Sequence, residues 1–141
     1  MRKGYKPRII PDYSADFLTP TKLRRAVQKC VRIIRKRKLK FDAIAFRGLS
    51  GAVVAPMVAL ALKKTMIAVR KSNSHGIKVC GDLGAQSYLI IDDFISSGVT
   101  IRKIVTGIDR ASLNEPACVG IVLYARCTSF RKVKSNGDLY P

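Results

Sequence analysis

The sequence predicts one α/β domain, a Rossmann-like parallel sheet flanked by helices. Three observations lead there. Short apolar runs near 41–46, 65–70, 88–92 and 117–124 alternate with stretches of helical periodicity, the pattern of strand–helix–strand crossovers, which are right-handed and make their strands parallel. Leu89, Ile90 and Ile91 are apolar without alternation, as a strand covered on both faces requires. Finally, 141 residues with 48% apolar content suffice for one core without staples.

Taken in order, residues 1–18 read as an irregular basic arm, since Pro7 and Pro11 forbid a regular helix. Residues 19–141 form the domain. Thr19-Pro20 is an N-cap followed by proline at the first helical position. Leu23, Val27, Cys30, Val31 and Ile34 then recur at helical spacing, opposite arginines and lysines. A strand is expected at 41–46 and a helix from Ser50 or Gly51 to Lys63, in which Pro56 makes a kink possible. A strand at 65–70, a loop over 71–86, the strand ending at Asp92, a helix at 100–111 and a strand at 117–124 complete the pattern.

Composition narrows the function. The chain carries 27 Lys and Arg against 9 acids, a net +18, more than a small anionic pocket needs. Much of the excess precedes residue 41, including the run Arg35-Lys36-Arg37-Lys38, and such a field concentrates polyanions. No aromatic residue interleaves with these charges between Leu18 and Lys40, so no base-stacking platform is evident there. Cys30, Cys80, Cys118 and Cys127 lack close metal-type spacing and read as reduced thiols of a cytoplasmic protein. The basic N-terminus is not followed by an apolar signal segment, and the longest apolar stretch, 52–62, is too short to span a bilayer. No membrane association is expected.

The chemistry concentrates in Tyr88-Leu-Ile-Ile-Asp92-Asp93-Phe-Ile-Ser96-Ser97-Gly98-Val99-Thr100. An apolar strand here delivers two carboxylates to its C-terminal end, the edge where open α/β sheets bind ligands. Neighbouring carboxylates repel and raise each other's pKa unless donors or cations surround them. A ribose diol supplies the donors and magnesium the charge. The turn Ser96–Thr100 can wrap a phosphate with N–H groups and hydroxyls at the positive end of a helix, and Gly98 permits a positive φ. An acidic turn with a helix cap uses the same residue types but would not explain the wholly apolar strand before it.

This order of residues closely resembles the phosphoribosyl-pyrophosphate (PRPP) signature of the type I phosphoribosyltransferases. The resemblance covers roughly residues 41–126 and implies that fold, with a reduced hood over the site. It implies that Asp92 and Asp93 hold the ribose hydroxyls and the magnesium shell, and that Ser96, Ser97, Gly98, Val99 and Thr100 cradle the 5′-phosphate. Two further stretches extend it. Ile44-Ala-Phe-Arg47-Gly48-Leu-Ser-Gly51 is similar to the family's pyrophosphate loop; independently of family, a glycine turn before a helix presents N–H groups and Arg47 adds a bidentate donor. Val69-Arg70-Lys71-Ser-Asn-Ser74-His75-Gly76 looks like the catalytic loop of the orotate branch, one residue shorter and with Ser74 in place of its second lysine. The resemblance assigns Arg70, Lys71 and His75 to the departing pyrophosphate, where cations would stabilise charge that develops in the transition state.

Ser96 stands where 6-oxopurine enzymes carry an acid, Val99 replaces a frequent glycine or lysine, and Arg126 follows the last strand where orotate enzymes have an arginine for the substrate carboxylate. Tyr124 and Phe130 are either stacking partners for a base or part of the core and rim. The expected protein is therefore a homodimeric phosphoribosyltransferase that uses PRPP and magnesium with an orotate-like pyrimidine in preference to a 6-oxopurine, with catalytic residues Arg70, Lys71, His75, Asp92 and Asp93. The alternative is a non-catalytic PRPP sensor of the same fold, binding RNA or DNA through its basic surface.

Overall fold

The computed structural model describes residues 18–71 and 78–141. Its elements run α1 (Pro20–Lys36), β1 (Ala43–Arg47), α2 (Gly48–Leu62), β2 (Thr65–Val69), β3 (Val79–Gly81), β4 (Ser87–Asp92), α3 (Val99–Ala111), β5 (Ala117–Leu123) and β6 (Ser129–Arg131). They form one six-stranded sheet in the order β3-β2-β1-β4-β5-β6. The four central strands are parallel, as expected. Both edge strands are antiparallel, so the sheet is mixed.

Those edges are where the sequence reading falls short. The expected loop over 71–86 contains β3, and β6 was not anticipated. Each is only three residues long, too short to show a period. Each also depends on a glycine at close quarters. A Cβ on Gly81 would lie 2.1 Å from the Met66 carbonyl oxygen, and one on Gly120 would lie 2.4 Å from the Phe130 ring. The close approach of neighbouring backbone and ring, not a hydrophobic pattern, selects glycine there.

Two layers cover the sheet. On one face α3 packs Ile101, Ile104, Val105 and Ile108 against Ala45, Ile67, Tyr88 and Ile90. On the other, α1 and α2 pack Ala26, Cys30, Ile34, Val54 and Val58 against Ile44, Leu89 and Ile91. Alternate residues of β4 thus enter the two cores, which is why this strand shows no polar alternation. On α1 the deepest residues are Ala26, Cys30 and Ile34; Leu23, Val27 and Val31 pack at their margin.

Helix α2 begins at Gly48, ahead of the expected Ser50, because Gly48 takes φ 71° and turns the chain straight from strand to helix. It continues past Pro56, whose missing N–H deprives only the carbonyl of the exposed Ala52. None of its fifteen residues is charged. Leu49, Met57 and Leu60 on it are exposed, Leu60 by 81%. Near the C-terminus a bridge joins Val133 to Leu139. There Asp138 pairs with Arg102 at 3.0 Å, and Gly137 lies close against the Arg102 backbone. No described helix is long and apolar enough to cross a membrane.

Candidate active site

The parallel register sets Arg47 beside Val69 and Ala45 beside Ile90. The segments following β1, β2 and β4 therefore leave the same edge of the sheet. The signature turn, the glycine turn after β1 and the described part of the third stretch, Val69 to Lys71, meet there.

The two carboxylates are not equivalent. Asp92 is 6% exposed; its Oδ1 accepts hydrogen bonds from the Ser50 hydroxyl at 3.0 Å and from the Asp93 N–H at 2.9 Å. Burial pushes its carboxyl up to about 6; the Asp93 N–H opposes the rise, the negative charge of Asp93 adds to it and the Ser50 hydroxyl lowers it. Asp93 is half-buried and accepts from the Phe94 N–H at 2.8 Å. The backbone of the pair is fixed from β5, since the Tyr124 and Ala125 N–H groups donate to the Asp92 and Asp93 carbonyls. The Tyr124 hydroxyl donates to the Ser50 carbonyl. Ser50 thus links α2 to both β4 and β5. Its role as an anchor was not legible in the sequence, where it is one serine in a glycine turn.

Beyond Asp93 the chain makes the expected turn. Gly98 adopts φ 77°, a conformation that favours glycine, and no atom lies within 4 Å of where its Cβ would stand. No side-chain cap satisfies the start of α3, which carries the positive end of the helix dipole. Ser96, Ser97 and Val99 are exposed and Thr100 half-buried. The Val99 N–H reaches the Ser97 hydroxyl at 3.4 Å.

The cationic side is built on the neighbouring strand ends. Arg47 closes β1 and precedes the positive-φ Gly48. Lys71 lies over that glycine, with its Nζ 2.9 Å from the place a Cβ would occupy. The Arg70 N–H donates to the Lys78 carbonyl at 2.7 Å, so β2 and β3 are tied at this edge. Arg47, Arg70 and Lys71 line one end of a cleft of about 790 Å³ running between α3 and the β2–β3 ribbon. Asp92, Asp93 and the turn Ser96–Gly98 do not line it.

The remaining expectations divide. Ser74 and His75 lie outside the described residues. Arg126 is exposed in the turn after β5. Phe130 is half-buried in the α1–α2 core, with the Arg37 guanidinium 5.3 Å from its ring centre; it belongs to the core and rim. Tyr124 is buried. Among the described residues no cluster of three or more histidines, cysteines or carboxylates forms a self-contained metal site. That donor set fits magnesium, which uses one or two carboxylates and completes its shell with water and substrate oxygens.

No family model matches the chain and no curated protein matches it by sequence. Solved structures do. Orotate phosphoribosyltransferase of Francisella tularensis superposes over 81% of this chain and 59% of its own, with a TM-score of 0.62 at 19% identity. Orotate phosphoribosyltransferase from Aeropyrum pernix gives 0.63 at 18% identity, covering 79% of this chain and 63% of its own. Adenine phosphoribosyltransferase from Trypanosoma brucei, in complex with AMP, pyrophosphate and ribose-5-phosphate, gives 0.61 at 18% identity, covering 78% of this chain and 54% of its own. The chain therefore spans little more than half the length of these enzymes. Shared topology, a carboxylate pair ending β4 and a glycine turn opening the next helix converge on one architecture: this chain has the type I phosphoribosyltransferase fold.

Proposed function

We propose that the protein is a phosphoribosyltransferase that binds PRPP with magnesium and transfers the phosphoribosyl group to a nitrogenous base. The observation that carries this reading is the grouping at one sheet edge of a carboxylate pair, an uncapped helix start behind Gly98, and the cations Arg47, Arg70 and Lys71. A diol, a monophosphate and a pyrophosphate are the three groups such a surface complements.

In the reaction a base nitrogen forms a bond to the ribose C1 while the bond from C1 to the pyrophosphate oxygen breaks. The electron pair leaves with pyrophosphate, and a base that was protonated at that nitrogen loses the proton. Asp93, the more accessible carboxylate, binds the ribose hydroxyls; Asp92 supports it from behind and shares the magnesium shell. Magnesium, when bound, offsets charge on the pyrophosphate. Ser96, Ser97, Gly98, Val99 and Thr100 seat the 5′-phosphate. Arg47, Gly48, Arg70 and Lys71 receive the charge that grows on the leaving group, the differential stabilisation that lowers a barrier. His75 joins them in this proposal.

An orotate-like pyrimidine suits the site better than a 6-oxopurine. Ser96 offers a hydroxyl where proton transfer to a purine needs an acid, and Arg126 stands exposed in the turn after β5, a residue type that pairs with carboxylates. The uncharged outer face of α2 is the surface on which we place a homodimer contact, and four free cysteines fit a reducing cytoplasm.

Calorimetric titration of PRPP with magnesium tests the proposal. We expect micromolar binding to the native chain and a loss on the order of a thousandfold in Asp92→Asn plus Asp93→Asn, two charge-assisted contacts being worth about 4 kcal/mol. Screening bases for pyrophosphate release then identifies the acceptor. Native protein that does not bind PRPP overturns the reading.

A further inference from the structure

The cleft between α3 and the β2–β3 ribbon extends well past the three cations assigned to pyrophosphate. Of its twelve described lining residues seven are Arg or Lys, and none of the twelve is acidic. Lys103, Thr106, Gly107 and Arg110 lie along it at positions i, i+3, i+4 and i+7 of α3, one continuous face of the helix. Lys78 stands across from them at the start of β3. Among the described residues Arg102 is the one lining cation with an ion-pair partner, Asp138. The floor is aliphatic and close-packed: Val69 and Val79 are buried, and a Cβ on Gly107 would touch both at about 3.5 Å. Exposed lysine and arginine side chains that line one cleft, with no acid among its described lining residues, concentrate positive potential there.

The dimensions select the ligand. At 1.5 Å per residue the rim from Lys103 to Arg110 spans about 10 Å. A single-stranded nucleic acid groove tracks ~4–16 nucleotides and stacks bases on aromatic rings, and no aromatic residue lines this cleft. Its volume, about 790 Å³, lies instead within the ~300–1,000 Å³ of small-molecule sites.

We propose that this cleft is a second anion site, continuous with Arg47, Arg70 and Lys71, that takes an oligophosphate chain of three or more phosphates. Lys103 and Arg110, on α3, hold the phosphates that extend past the pyrophosphate end, and Lys78 stands beside Arg70 between the two. The chain is either inorganic or carried on a nucleoside whose apolar body rests on Val69 and Val79. Occupancy blocks the pyrophosphate end and so competes with PRPP; the binding claim itself stands without the transferase reading.

The test is calorimetry with inorganic triphosphate and pyrophosphate on three proteins: native, Lys103→Ala plus Arg110→Ala, and Arg24→Ala plus Lys29→Ala on the opposite face. All four side chains are exposed, and thermal melting checks that each variant folds. We expect triphosphate to bind the native chain at least tenfold more tightly than pyrophosphate. The α3 variant should lose that excess while pyrophosphate affinity stays within twofold, and the α1 variant should keep it. ATP binding more tightly than inorganic triphosphate assigns the floor to a nucleoside; equal binding assigns the site to the inorganic chain. Equal losses in both variants would reduce the effect to overall charge and overturn the proposal. So would native protein that does not distinguish triphosphate from pyrophosphate. A ten-nucleotide single strand that outcompetes triphosphate and is lost in the α3 variant would also overturn it, in favour of nucleic acid.

Discussion

The end of β4 and the ends of β1 and β2 occupy one sheet edge and are built in opposite ways. The β4 end places a carboxylate at 6% exposure and holds it with a hydroxyl and an amide, backed by backbone bonds from β5. Beside it, Arg70 and Lys71 stand exposed at the end of β2, with Lys71 lying over Gly48. Placing an acid where water is excluded costs stability; displaying a guanidinium or ammonium in solvent does not. The acidic half is therefore buried and held by hydrogen bonds, and the cationic half is displayed in solvent. This suits a site whose diol must be fixed while a leaving group accumulates charge.

The contrast can be broken most directly at Asp92. Asp92→Asn keeps an oxygen to accept from Ser50 and from the Asp93 amide and removes only the charge. The folded carboxyl is raised from 3.8 to about 6. The stability it contributes is complete below its unfolded value and is lost as pH rises through about 6, leaving the native protein with the cost of a buried anion. The variant should match the native protein at pH 4 and exceed it at pH 8 by up to about 3 kcal/mol, read from denaturant midpoints. An advantage that does not change with pH would show that the charge is not its source.

Gly48→Ala probes the cationic half. Forcing alanine to φ 71° costs about 1–2 kcal/mol, and its methyl displaces the Lys71 side chain. Pyrophosphate affinity should fall about tenfold, with ribose 5-phosphate affinity unchanged. Gly98→Ala reverses the pattern with a somewhat smaller effect. It carries similar strain at φ 77° but displaces no neighbour, so it should weaken ribose 5-phosphate several-fold and spare pyrophosphate. Calorimetry with the two anions reads both variants, and equal losses of both ligands in either one would mean that the two halves are a single unit.

Most of the central architecture was legible because it is written in periods. The stripe on α1, the continuous apolar run of β4 and the punctuation at Gly98 each follow from local rules. What was not legible depends on distant partners. β3 and β6 are short and are secured by Gly81 and Gly120 fitting against Met66 and Phe130. The inequality of Asp92 and Asp93 comes from Ser50, 42 residues away in sequence. The shared cleft of Lys103 and Arg110 depends on the β2–β3 ribbon lying across from α3, a partner that no local pattern in the sequence announces. Arg47, Gly48, Asp92, Asp93 and Gly98 stand out in the sequence by residue type and order, and Arg70 and Lys71 by the resemblance; the structure places all of them at one sheet edge, and their roles are those proposed above.

One feature of α2 reaches beyond the single chain. Its outer face is a neutral, apolar window in a molecule of net charge +18. In the proposed dimer, two copies approaching through that window would repel at long range and attract only at contact. Raising ionic strength shortens the screening length from about 10 Å at 0.1 M to about 3 Å at 1 M. This removes the repulsion and leaves the apolar contact intact, while every contact to a phosphate weakens. The same salt gradient would thus push the proposed dimer contact and the proposed anion sites in opposite directions.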